Sequence, residues 1–207
     1  MILYLKIKKI NFLLFIYLMS LSFAMDISEL SYCGIDFQVK KNGFSDVSYI
    51  LIHGDEETAR MLLTEHIEKN NGRAFFIKSK EREVSLGPTK VDPNRIFSRS
   101  GSKAALKKFK PNWKPKELND LLDQLDKSRN IFLYNIFPSK GGLLIALHNN
   151  FRGYNVKDEL KNSQSQSIKK DQNPRDFIIC TNLKDYEKLE NGPYNVVFQN
   201  IMEEKSF

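Results

Sequence analysis

The feature that most constrains this chain is the segment 47–77, where two continuous apolar runs flank a stretch of helical period. Residues 47–52 form an unbroken apolar run of strand length, too short for a buried helix, and it opens directly into His53-Gly54-Asp55-Glu56. From Glu56, the spacing of Ala59, Met61, Leu62, Leu63 and Ile67 predicts a helix ending near Asn70-Asn71-Gly72. Residues 73–77 then predict a second buried strand. A strand, a helix and a strand in that order make a βαβ unit, which implies parallel pairing and helices packed on the sheet.

The rest of the chain extends this alternation. Residues 80–101 read as a polar loop punctuated by Gly87-Pro88 and Asp92-Pro93. Helices are predicted over 102–109 and 116–126, the second opened by Pro115, and strands over 130–137 and 142–147. Residues 157–173, rich in Ser, Gln and Lys, read as an exposed insertion. A strand over 177–181, a short helix over 184–190 and a strand over 194–199 complete the pattern. The fold class expected is therefore α/β: a three-layer sandwich around a mostly parallel mixed sheet, in one domain over 25–207.

Residues 1–24 stand apart. Lys6, Lys8 and Lys9 precede an apolar run from Ile10 to Phe23 that ends in Ser22-Phe23-Ala24, the order of a secretory signal peptide. Cleavage after Ala24 would deliver the protein to the periplasm or the medium; an uncleaved membrane anchor is the alternative. The full chain of 207 residues carries a formal charge of +7. Without the first 24 residues, 183 remain with 29 basic and 25 acidic groups, and the case for a nucleic-acid partner largely disappears. Export also permits a disulfide between Cys33 and Cys180, yet Cys180 lies in an apolar run that suits a buried thiol equally well.

Two of the three histidines end predicted strands: His53 after 47–52 and His148 after 142–147. In parallel sheets ligands collect at the carboxyl ends of strands. Glu56, three residues after His53, can reach the same point. Two imidazoles and a carboxylate make a common catalytic zinc shell, with the fourth position open to water. The alternative is two strand-end polar residues and an acid placed by the helix dipole. His66, within the first helix, reads as a surface residue.

Between the histidines lies Val91-Asp92-Pro93-Asn94-Arg95-Ile96-Phe97-Ser98. A strand, HGDE, DPNRIFS and a later strand ending in Leu147-His148-Asn149-Asn150 resemble, in order and separation, the zinc carboxypeptidase superfamily. The resemblance is nearest to the branch containing succinylglutamate desuccinylase and aspartoacylase. It implies one Zn2+ per chain held by His53, Glu56 and His148. It also implies that Asn94 and Arg95 bind the free carboxylate of a peptide or N-acyl amino acid; the planar fork of an arginine suits that task. A loop-pinning ion pair between Arg95 and Asp92 or another acid is the competing role.

The chain departs from the family pattern in two places. Ala146 stands where an acid would orient the third ligand, leaving Asn149 and Asn150 as polar neighbours. No glutamate follows a late apolar strand to act as general base: Glu187 and Glu190 fall on a predicted helix, and Glu203 and Glu204 in a charged tail. The expected function is an exported zinc metallohydrolase of carboxypeptidase or amidase type, acting on a short peptide, such as a cell-wall peptide, or on an N-acyl amino acid. A truncated, inactive zinc- or peptide-binding module remains open at this point. So does an anionic-surface binder using the basic segment 103–114 around Phe109 and Trp113, although such charge runs are usually solvated faces.

Overall fold

The computed structural model describes residues 25–138, 142–149 and 153–200. The proposed signal segment 1–24, Asn150, Glu203 and Glu204 lie outside the described residues.

The chain enters as a hairpin that the apolar pattern does not announce. β1 (Asp26–Tyr32) and β2 (Ile35–Asn42) pair antiparallel through the two-residue turn Cys33-Gly34, with φ of 50° and 83°. Two successive positive φ values match the right-handed twist of the strands, and Gly34 adopts one without steric cost. β3 (Val47–Leu51), α1 (Glu57–Lys69) and β4 (Gly72–Ile77) then form the expected βαβ unit, with β3 and β4 parallel.

Where sequence predicts one polar loop over 80–101, the chain folds a small hairpin, β5 (Val84–Leu86) and β6 (Thr89–Val91), and a 3-10 turn at Pro93–Arg95. α2 (Arg99–Phe109) begins three residues before the expected start because Ser98 Oγ accepts the Gly101 N–H as its cap.

α3 (Pro115–Ile136) corrects the reading more deeply. Residues 130–136 are not a strand but the last turns of this helix, and Phe137 is its C-cap. Ile131, Phe132, Leu133 and Tyr134 are residue types that favour strands. Yet the buried positions Leu118, Leu122, Leu125, Arg129, Phe132 and Ile136 continue one helical stripe with no breaker between them. β7 (Leu143–Leu147) then returns beside β3, parallel to it.

The resulting sheet has the order β1-β2-β4-β3-β7, antiparallel on its first half and parallel on its second. Alternate residues of β3 and β4 feed two apolar clusters. Ile50, Ile52, Phe75 and Ile77 join Phe37, Leu106, Leu122 and Phe132 under α2 and α3, while Leu51, Ala74 and Phe76 join Ala59, Leu63 and Ile67 of α1. Helices thus cover both faces, giving three layers. Met61 and Leu62, counted in the sequence stripe of α1, face outward.

The final segment does not extend this sheet. α4 (Val156–Leu160) and β8 (Ser165–Ser167) occupy the supposed insertion, and β9 (Phe177–Cys180), α5 (Leu183–Leu189) and β10 (Asn195–Phe198) follow. They form a separate three-stranded sheet, β8-β10-β9, with its own cluster around Cys180, Tyr186 and Val196. Both sheets are mixed, as expected of this α/β fold, but the strands divide between separate sheets and the five-stranded one is half antiparallel rather than mostly parallel. Both cysteines are free thiols. Among the described residues, no helix is long and apolar enough to cross a membrane.

Candidate metal centre

β3 and β7 are neighbours whose carboxyl ends lie side by side, and each delivers a histidine there. At Gly54 the chain passes so close to the loop after β4 that an added Cβ would sit 2.0 Å from the Ser79 carbonyl oxygen. Only glycine fits that approach, and it turns the segment so that Glu56 comes back over His53. Gly54→Ala must therefore push the two backbones apart. We expect a loss of at least about 1–3 kcal/mol of stability, measured by urea unfolding, together with weakened metal uptake.

The three expected ligands do converge. His53 Nδ1 lies 2.9 Å from Glu56 Oε1, and His148 Nδ1 lies 3.4 Å from Glu56 Oε2. The two rings are 5.3 Å apart, centre to centre. One donor atom from each residue lies within 4.8 Å of the others, close enough for the group to hold a metal ion. His53 and Glu56 are 1 % exposed, whereas His148 opens toward solvent. A site with two buried ligands and one exposed one leaves a side by which a small molecule can approach.

Sequence reading missed how His53 is held. Its Nε2 lies 2.9 Å from Asp92 Oδ1, so a carboxylate supports the ring from behind and turns Nδ1 toward Glu56. Carboxylates in this position orient and strengthen imidazole ligands. Asp92 also accepts the Asn94 N–H at 2.9 Å, which closes the 3-10 turn carrying Asn94 and Arg95. The turn is thereby tied to the cluster by a single side chain. Asp92 appeared in the sequence only as a possible partner of Arg95; nothing in the spacing marked its contact with His53.

The far side of the same turn is fastened to the core. The Ile96 carbonyl accepts the Tyr32 hydroxyl at 2.7 Å and Arg129 Nε at 2.9 Å. Arg129 also donates to Ser102 Oγ at 2.9 Å and pairs with Asp126. Burial raises the Tyr32 phenol to about 12, in spite of Arg129 beside it, so it stays protonated and can donate. Arg129 went unnoticed because residues 130–137 read as a strand.

Arg82 is the other residue that sequence did not indicate. Its Nη1 lies 3.3 Å from Glu56 Oε1 and 3.7 Å from Asp55 Oδ1. Among the described residues, the buried side-chain polar atoms without a hydrogen bond are Asp55 Oδ1, Glu56 Oε2 and Asn94 Oδ1. All three fall in the two motifs. Buried polar atoms are almost always satisfied, and exceptions ask for an ion or water. Glu56 Oε2 is the sharpest, since His148 Nδ1 is within ion-pair reach but not in hydrogen-bond alignment. The residues present therefore fit a divalent cation.

The charges agree with that fit. Burial by itself would raise the Glu56 carboxyl, but the neighbouring imidazoles of His148 and His53 outweigh it and hold it at about 2. Burial would lower His53, but its hydrogen bonds to Asp92 and Glu56 win and raise it. In the metal-free protein, His53 thus contributes stability that is complete below its ordinary value of 6.5 and lost as pH rises through the higher folded value. Glu56 contributes stability present above 4.5 and lost as pH falls toward 2. Thermal melting in chelator should therefore be highest between these ordinary values, and zinc should raise the melting temperature most on the alkaline side, where the imidazole need not shed a proton.

The remaining residues of interest lie elsewhere. His66 Nε2 bonds the Tyr49 hydroxyl at 2.8 Å and takes no part in the cluster. Glu187 lies on α5 and Glu190 caps its end, in the separate sheet unit. In the basic segment, Lys108 lies over Phe109 and Lys110 over Trp113, and the Trp113 indole donates to the Leu106 carbonyl. These rings are engaged by their own chain. No protein-family model, no curated protein and no solved structure matches this chain.

Proposed function

We propose that the protein is an exported zinc-dependent hydrolase of carboxypeptidase or amidase type, acting on a short peptide or an N-acyl amino acid with a free carboxylate. The observation that carries this reading is the buried, unbonded Glu56 Oε2 facing His148 Nδ1, with His53 Nδ1 on the other oxygen. Zinc suits two imidazoles and a carboxylate and would supply Lewis acidity and a water ionised near neutral pH. Export rests on the composition of residues 1–24, and a zinc carboxypeptidase-like fold on the order of the motifs along the β3 and β7 ends.

The protein's own groups divide the work. His53, Glu56 and His148 hold the cation, and Asp92 keeps His53 turned toward it. Arg95, exposed on the anchored turn, would grip the substrate carboxylate, with Asn94 beside it on the same turn. Arg82 adds a positive charge beside Glu56 and Asp55 at the edge of the cluster. Among the acids named here, those that adjoin the cluster are Asp92, committed to His53, and Asp55, beside Arg82. That arrangement favours a second reading, a zinc- or peptide-binding module without turnover.

Metal analysis of the purified protein, followed by a panel of short peptides and N-acyl amino acids, separates the readings. Zinc with turnover supports the hydrolase. Zinc with binding but no turnover supports the module; a protein that takes up no metal sinks the hydrolase and the zinc-binding module, and one that also binds no peptide sinks the module altogether. If turnover is found, Arg95→Met should raise KM by roughly tenfold or more while changing kcat less, the pattern of lost substrate binding.

A further inference from the structure

α1 begins without a cap of its own. Glu56 occupies the N-cap position, where a side-chain oxygen, most often that of Ser, Thr, Asp or Asn, bends back to accept a free N–H of the first turn. Its side chain makes no such bond, because the carboxylate is turned toward the two imidazoles. A helix start leaves its first N–H groups unsatisfied, and a charged acceptor next to them is under constant pull. Here the demand is met from outside the helix. The Ala59 N–H, in the first turn of α1, donates to Asn149 Oδ1 at 2.9 Å, across 90 positions of sequence.

Asn149 directly follows His148 at the end of β7. One side chain therefore does two things: it occupies the helix N–H that would otherwise compete for Glu56, and it ties the strand end bearing His148 to the helix start bearing Glu56. We propose that Asn149 is a positioning residue, a helix cap supplied by the neighbouring strand, which leaves the Glu56 carboxylate free for the cation and sets His148 against it. Its purpose in holding a cation rests on the metal-binding reading above, while the capping itself does not. The same logic explains why Ala146 needs no acid beside it. His148 is located through the residue after it, by a backbone-anchored amide, and not through a carboxylate before it.

The test compares Asn149→Ala with Asn149→Asp, which keeps an acceptor oxygen at the same reach. Two readouts need no metal. In Asn149→Ala, a crystal structure should find Glu56 drawn back toward its own first turn, and because glutamate is not among the good caps and replaces Asn149 only in part, exchange of the Ala59 amide should still quicken, by up to roughly tenfold. Asn149→Asp should restore both. The third readout is zinc affinity, which should fall about 10- to 100-fold in Asn149→Ala, as for other residues that orient ligands, and recover in Asn149→Asp. The visible absorption of the cobalt-substituted protein should change in the alanine variant alone.

Unaltered Ala59 exchange, or a Glu56 that still faces both imidazoles in Asn149→Ala, would overturn the proposal. So would equal zinc affinity in the alanine variant and the parent. A parent protein that takes up no zinc is a different failure. It removes the metal-binding reading, and the exchange and crystal readouts still decide whether Asn149 keeps Glu56 from capping its helix.

Discussion

Replacing His148 with alanine is expected to abolish stoichiometric zinc, taking the protein from about one ion per chain to a trace by elemental analysis. His53 and Glu56 sit three residues apart on one turn and are both buried, so they form a half-site that folding assembles by itself. His148 arrives from β7 and supplies the remaining nitrogen. A two-ligand remnant has one imidazole and one carboxylate, and Arg82 close by competes for that carboxylate. The loss should exceed the 10- to 100-fold typical of removing a supporting residue. Since His148 is the most exposed of the three, its removal should leave the fold intact, and the metal-free protein should lose only the part of its stability that the imidazole gives through Glu56. His148→Ala that keeps one tight zinc would show that the ligand set is wrong.

The largest effect on stability is expected from Phe132→Ala, about 3–5 kcal/mol, against a total that for most domains is only about 5–15 kcal/mol. Phe132 is fully buried and lies 4.9 Å from the Tyr32 ring, stacked, and 5.0 Å from the Phe37 ring, tilted. It joins α3 to β1 and β2, and through Tyr32 it backs the hydroxyl that holds the Ile96 carbonyl. The cavity would thus loosen the turn on which Asn94 and Arg95 sit. Tyr134→Ala is the control. Tyr134 is 86 % exposed, and its loss should stay within about 0.5 kcal/mol. The pair also distinguishes the two possible local structures, because in a strand residues two apart share a face, and Phe132 and Tyr134 would then both be costly. Urea unfolding of the two variants reads the difference directly.

That contrast marks where sequence stops being informative. Residues 130–137 are rich in aromatic and β-branched side chains, and local preference alone writes them as a strand. What overrides it is the match of Arg129, Phe132 and Ile136 to the buried stripe begun at Leu118, a fact about the helix as a whole and about the sheet beneath it. The hairpin at the start of the described chain was invisible for the opposite reason. Most of β1 is exposed on both faces, so it carries no apolar alternation, and its only local signal is the Cys33-Gly34 turn. The short strands of the separate sheet, such as β8, are polar and exist because β10 offers them a partner.

By itself, the sequence determined the βαβ unit, the helices on both faces of the sheet, and three residues that belong together. The first two are periodic, and the apolar runs put His53 and His148 at strand ends with Glu56 near the first, while their reading as one ligand set came from the resemblance of the HGDE, DPNRIFS and LHNN order to a family pattern. The tertiary structure alone decided which strands share a sheet, that Asp92 stands behind His53, that Arg82 leans on Glu56, and that Asn149 satisfies the helix Glu56 leaves uncapped. These are contacts between residues 26 to 90 positions apart. Such contacts carry no period, and a single side chain reaching across space is set only when the layers that bring it there have closed.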